Sequence, residues 1–103
     1  MGRFVLYNKG MSHIIDNKIY HDGQEIGWID GTKVRAEGGN KVLGFIGTEH
    51  VYDSAMHKIA YIENDILHFE NGQPSIPLEK INEEVQGTYP ANVKCAVHVL
   101  FEG

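Results

Sequence analysis

A chain of 103 residues with 42% hydrophobic content has the length of one domain and enough apolar mass for one core, so residues 1–103 are expected to form a single unit. Its net charge of −5 argues against nucleic acid as a partner, because such binding draws most of its affinity from Lys and Arg on phosphates. A single cysteine, Cys95, with no partner for a disulfide, no apolar run long enough to span a membrane, and no signal-peptide core in residues 1–6 together lead us to expect the reducing cytoplasm.

Taken in order, the chain repeats itself. A β-branched residue or leucine opens each copy, at Val5, Ile19, Val34, Val51 and Leu67, in steps of 14, 15, 17 and 16 residues. Toward the end of each copy stands an apolar triplet: His13-Ile14-Ile15, Gly27-Trp28-Ile29, Gly44-Phe45-Ile46 and Ala60-Tyr61-Ile62. Turn residues lie between opening and triplet, at 8–10, 22–24, 38–40 and 54–56, with Glu70-Asn71-Gly72 in a truncated fifth copy; only Ser54-Ala55-Met56 lacks glycine. A period this short has room for two strands and no helical return, so each copy predicts two short strands.

The first strand is expected at 4–7. Tight turns at Asp16-Asn17, Asp30-Gly31, Gly47-Thr48 and Asn64-Asp65 then predict four hairpins over residues 12–20, 26–35, 43–52 and 59–69, since these residue types tolerate positive φ. Gly27, Gly44 and Ala60 share one register, which predicts close approach of other backbones there. Ile15, Ile29, Ile46 and Ile62 are expected to line a common axis. Trp28, Phe45 and Tyr61 fall on the opposite face.

After Gly72, Gln73-Pro74-Ser75-Ile76-Pro77 reads as a linker, because proline cannot donate to a ladder. Apolar spacing over Leu78–Val85, with Gly87 as a stop, predicts a helix of about two turns. The β-branched run Val93–Phe101 predicts a long C-terminal strand. The expected fold is therefore mainly β: a repeat over 4–72 making four short hairpins in a pseudo-four-fold meander, then a short helix and a strand over 73–103.

Repeats of the form Ile19-Tyr20-x-Asp22-Gly23-x-x-Ile26-Gly27-Trp28-Ile29-x-Gly31, in a small acidic chain, resemble the bacterial four-fold β-flower family. The resemblance covers residues 4–72 and implies hairpins set as petals about an axis; it brings no assigned activity. Departures from the pattern are Arg35 where an earlier copy has Tyr20, the glycine-free fourth turn, and His13 in the small-residue register.

Chemistry is thinly signalled. His13, His21, His50, His57, His68 and His98 show no metal-ligand spacing and fall in different registers, so no metal site and no cofactor are expected. No nucleophile elbow or P-loop occurs. The carboxylates Asp16, Asp22, Asp30, Glu37, Asp53 and Glu70 mostly fall in turns, where backbone geometry explains them. One constellation stands out, the second residue of each later copy: Tyr20, Arg35, Tyr52 and His68. Aromatics with an arginine can form a binding platform by cation–π contact or bidentate hydrogen bonding, or can simply lie over the sheet with their polar tips in water. The expected function is thus a non-enzymatic binding or assembly module of unknown ligand. The rival is a small enzyme, a hydrolase using a polar cleft among the hairpins. A homodimer through the C-terminal strand is expected, since that strand lacks a central charge or proline to block edge pairing.

Overall fold

The computed structural model describes residues 11–38 and 41–102. The strand expected at 4–7, its turn at 8–10, and Gly39 and Asn40 lie outside these residues. The chain is mainly β, with ten strands in one sheet and two helices among the described residues. Short alternating segments build β1 (Ser12–Ile15) and β2 (Lys18–His21), β3 (Gln24–Asp30) and β4 (Lys33–Ala36), β5 (Val42–Ile46) and β6 (His50–Asp53), and β7 (Lys58–Glu63) and β8 (Ile66–Phe69). Each of these strands pairs antiparallel with the next in chain order.

Turn chemistry fits the backbone. Asp16 and Asn17 adopt φ of 51° and 66°, and Asn64 and Asp65 adopt 56° and 61°, the left-handed pair that a two-residue hairpin turn requires. The β3–β4 turn is shifted by one from expectation: Asp30 pairs with Lys33, leaving Gly31-Thr32 as the loop. The glycine-free turn after β6 is held by Asp53, whose Oδ1 accepts the N–H groups of Ala55 at 2.9 Å and His57 at 2.8 Å, while Met56 takes φ of 69°.

The sheet ends in two short strands. β9 (Ile76–Pro77) lies on β8, so the expected linker contributes an edge strand, a place where proline is tolerated. β10 (Val85–Gln86) runs parallel to β1. Between them stands helix α1 (Leu78–Glu84), close to its expected span. The two ends of the sheet are thus separated by seven helical residues, about 10 Å of rise. A ten-stranded sheet with its ends this close must curl until they face each other across α1.

The segment expected as the C-terminal strand is a helix, α2 (Ala91–Glu102). Val93 and Lys94 donate their N–H groups to the Pro90 carbonyl at 3.1 and 3.2 Å, which starts it. Six consecutive residues, Lys94 to Val99, are buried, and six consecutive helical positions cover every face. A helix buried on every face is stable only when enclosed. Here the enclosure outweighs the β-propensity of Val93, Val97 and Val99. Lys94 and His98, one turn apart, face α1: Lys94 Nζ donates to Asn82 Oδ1 at 3.3 Å, and His98 Nδ1 lies 3.5 Å from Glu84 Oε1.

The small-residue register marks where α2 packs. A Cβ added at Gly27 would meet the Arg35 carbonyl oxygen and the Phe101 ring, and one at Gly44 would meet the Tyr52 carbonyl oxygen and Leu100. The close approach comes from the backbone of the paired strand within the same hairpin and from side chains of α2 above it. The expected isoleucine axis is corrected accordingly, because Ile15 is 56% exposed. Cross-strand pairing explains this: Ile14 faces Ile19 as Ile29 faces Val34, Ile46 faces Val51 and Ile62 faces Leu67. The first copy is therefore offset by one, with Ser12 rather than His13 in the small register. Ile19, Val34, Val51 and Leu67 are all buried, and together with Cys95, Ala96 and Val97 of α2 they belong to one core.

Candidate functional site

With one side of the hairpin strands turned to the core that also holds α2, alternation turns the other side outward. There the hairpins repeat a cross-strand row. Trp28 stands between Lys18 on β2 and Arg35 on β4; Phe45 between Lys33 and Tyr52; Tyr61 between His50 and His68. Each row is a basic side chain, an aromatic, and then one of the residues singled out in the sequence. In the first hairpin Tyr20 faces His13.

Tyr20, Arg35, Tyr52 and His68 thus share a register and a face. They sit on alternate strands, so neighbours are about 10 Å apart along a sheet that curls away between them. Each is brought together with its own hairpin partner. The ladder shifts register at Ile19/Tyr20, Val34/Arg35 and Val51/Tyr52, immediately before three of the four. Such bulges bend a strand and re-aim the side chain beside them. The guanidinium carbon of Arg35 lies 5.7 Å from the Trp28 ring centroid, while Tyr61 and His68 stack at 4.9 Å with 20° between planes. His50 lies 6.1 Å from Tyr52 and 6.3 Å from Tyr61, both tilted.

Concavity appears where one hairpin meets the next. A cleft of about 540 Å³ is lined by Asp16, Asn17, Lys18, Glu25, Trp28 and Asp30, together with Ile29 and Gly31. Its walls are tied down. The Asn17 carbonyl accepts the Ile29 N–H at 2.7 Å, and the Asn17 N–H donates to Tyr89 Oη at 2.8 Å, which in turn donates to Asn17 Oδ1 at 2.9 Å. Asp30 Oδ2 accepts from Arg35 Nε at 3.0 Å. A second cleft, of about 480 Å³, is lined by Glu49, His50, Tyr61, Glu63, Asn64 and Asp65, along with Ile62. The two occupy equivalent places: His50 opposes Tyr61 as Lys18 opposes Trp28, and the Glu49 carbonyl accepts the Ile62 N–H at 2.8 Å as Asn17 does that of Ile29.

Reading the sequence for one residue per copy missed the lining groups Lys18, Trp28, Asp30, His50 and Glu63. The signal that finds them is the hairpin register, which places the middle residue of each triplet opposite the residue already chosen. Other reactive groups serve the fold. Burial pushes the Cys95 thiol up to about 12, so it stays protonated. The backbone N–H of His57, with further help from the His57 ring and the Ala55 N–H, holds the Asp53 carboxyl below its usual range, against a smaller opposing effect of desolvation. Histidines are scattered: His21 Nδ1 lies 3.1 Å from Ser12 Oγ, and His68 Nδ1 lies 2.9 Å from Ser75 Oγ. Among the described residues no group of three or more His, Cys, Asp or Glu is placed to hold a metal ion, and no helix is long and apolar enough to cross a membrane. Neither a family model, nor a curated protein, nor a solved structure matches the chain.

Proposed function

We propose that this chain is a non-enzymatic binding module that holds a small ligand in the clefts between successive hairpins, on the sheet face turned away from α2. The observation that carries the proposal is recurrence. Two clefts at equivalent places in the repeat each set an aromatic, Trp28 or Tyr61, beside a basic residue and the acid that ends its strand. Pockets with a few polar groups converging on an aromatic wall are the common form of small-ligand sites. The platform residues Tyr20, Arg35, Tyr52 and His68 enter this reading through their partners: Arg35 and His68 pack on the aromatics of the two clefts. A hydrolytic enzyme has less support, since the lone thiol is protonated and Asp53 is committed to its turn.

The repeat pattern supports membership of the bacterial four-fold β-flower family and a pseudo-four-fold arrangement of hairpins around α2, which we include in the proposal with a cytoplasmic, reducing setting. We keep a homodimer as well. Since residues 93–101 are enclosed as helix, a second copy would pair through a surface other than the expected strand edge. Sedimentation equilibrium tests that point.

The binding proposal is tested by ¹H–¹⁵N chemical-shift mapping with a fragment library of mixed charge. The expected result is saturable shifts clustered at Lys18, Trp28 and Asp30 and at His50, Tyr61 and Glu63. Shifts concentrated elsewhere, or none, overturn it.

A further inference from the structure

We infer that the Trp28 cleft takes an organic cation, a guanidinium or alkylated ammonium group, an inference that rests on the binding reading above and narrows it. The fold already contains one example of this chemistry. The Arg35 guanidinium lies 5.7 Å from the Trp28 centroid and donates to Asp30 at 3.0 Å, so an indole and a carboxylate here jointly hold a planar cation. With Asp30 and Arg35 engaged on each other, the remaining charged groups of the cleft are Asp16 and Glu25 against Lys18. That excess is negative. An anion would meet two carboxylates, and an uncharged ring would gain only the indole. A weakly hydrated organic cation gains both the carboxylates and the quadrupole of the ring, which attracts positive charge over its face.

The equivalent cleft repeats the polarity with different residues: Tyr61 stands among Glu49, Glu63 and Asp65, with His50 as its base. The hairpin junction between them supplies an internal comparison. There Phe45 is opposite Lys33, and the acid that ends the strand in the other two copies is replaced by Gly47, where an added Cβ would lie 2.9 Å from the Tyr52 ring. Two junctions combine an aromatic with its strand-ending acid, and the one between them does not. Cation binding is therefore assigned to the outer two junctions and not to the middle one. The Trp28 cleft is the better formed of the two, because Asn17 is fixed by Tyr89 and Asp30 by Arg35, so little ordering remains to oppose binding.

The experiment titrates the full chain with methylguanidinium, tetramethylammonium, the uncharged isostere N-methylurea, acetate, and a short arginine peptide beside its citrulline counterpart. Trp28 is the sole tryptophan, so its emission reports this cleft directly, and ¹H–¹⁵N shifts report all three junctions. Saturable binding of the cations, with a dissociation constant around 1 mM, is expected. Affinity should fall about fivefold or more in Asp16→Asn and Glu25→Gln, an effect within the range of single charge and cation–π contacts. Asp16→Asn is chosen because asparagine tolerates the φ of 51° at that position. Tighter binding of the arginine peptide than of methylguanidinium identifies a protein side chain as the source of the cation, and equal or weaker binding identifies a free small molecule. If N-methylurea or acetate binds as well as the cations, the cleft is a binding site but the cation assignment is wrong. If no probe of any charge changes Trp28, both the assignment and the binding reading fall.

Discussion

Adding one methyl group at Gly44 tests the central packing claim, that α2 runs inside the curled sheet against its small-residue register. In Gly44→Ala the new Cβ would sit 2.8 and 2.9 Å from the two Leu100 methyls and closer still to the Tyr52 carbonyl oxygen. Leu100 can rotate, but the carbonyl belongs to the neighbouring strand and must move with it. Removing glycine from a strand recovers about 0.5–1 kcal/mol of chain entropy. Overpacking a well-filled core costs about 1–3 kcal/mol. The expected net change is a loss of about 0.5–2 kcal/mol, read as a lower urea midpoint at unchanged m-value. Leu100→Ala removes the methyls that the new Cβ meets, so the double variant should lose less than the sum of the singles, with a coupling of about 0.5–1.5 kcal/mol. A Gly44→Ala chain as stable as the parent, with strict additivity in the cycle, would refute the placement of α2.

Three further outcomes follow from the same structure. Ile14→Ala should cost about 2–5 kcal/mol and Ile15→Ala under about 0.5 in chemical denaturation, because Ile14 is 2% exposed and Ile15 is 56%; equal losses would restore the register read from the sequence. Cys95 should resist a thiol reagent until the chain unfolds, and stability should decline as pH rises above the thiol's usual 9.0 toward about 12, since the unfolded thiol ionises first and the folded one stays protonated. Asp53 has the opposite sign: its folded-state value is lowered, so the help it gives the turn is present above 3.8 and disappears as pH falls further through that lowered value. The amide resonances of Ala55 and His57 should move with that titration and be displaced at neutral pH in Asp53→Asn.

Turn chemistry made most of the sheet readable. Asp16-Asn17 and Asn64-Asp65 tolerate left-handed backbone, and the apolar triplets fix which face is buried. Three features were harder. A register error of one residue at His13-Ile14-Ile15 came from two adjacent isoleucines, either of which fits the pattern until Ile19 is known to pair with Ile14. The fourth turn hid its solution in Asp53, a side chain substituting for the freedom of glycine. Residues 93–101 misled because a short apolar run of β-branched residues has the same composition in a buried helix as in a strand. The signals favouring helix were Pro90 just ahead of it and the small residues Ala91, Cys95 and Ala96, which let a helix approach surrounding strands. For the candidate site, the sequence pointed to Arg35 and His68. Their roles depend on Trp28 and Tyr61 across the hairpin and on a concavity that only the packed turns create.

The position of α2 in the chain has a kinetic consequence. Its residues follow the ten described strands, yet Cys95, Ala96 and Val97 share one core with Ile19, Val34, Val51 and Leu67. Nearly all the strand pairs are local and can zip early, whereas β1 meets β10 only across the 73 positions from Ser12 to Val85. The surface formed by Ile19, Val34, Val51 and Leu67 can therefore be assembled by local pairing before the helix that covers it has docked. Until α2 docks, that surface is a sticky, unfilled trough.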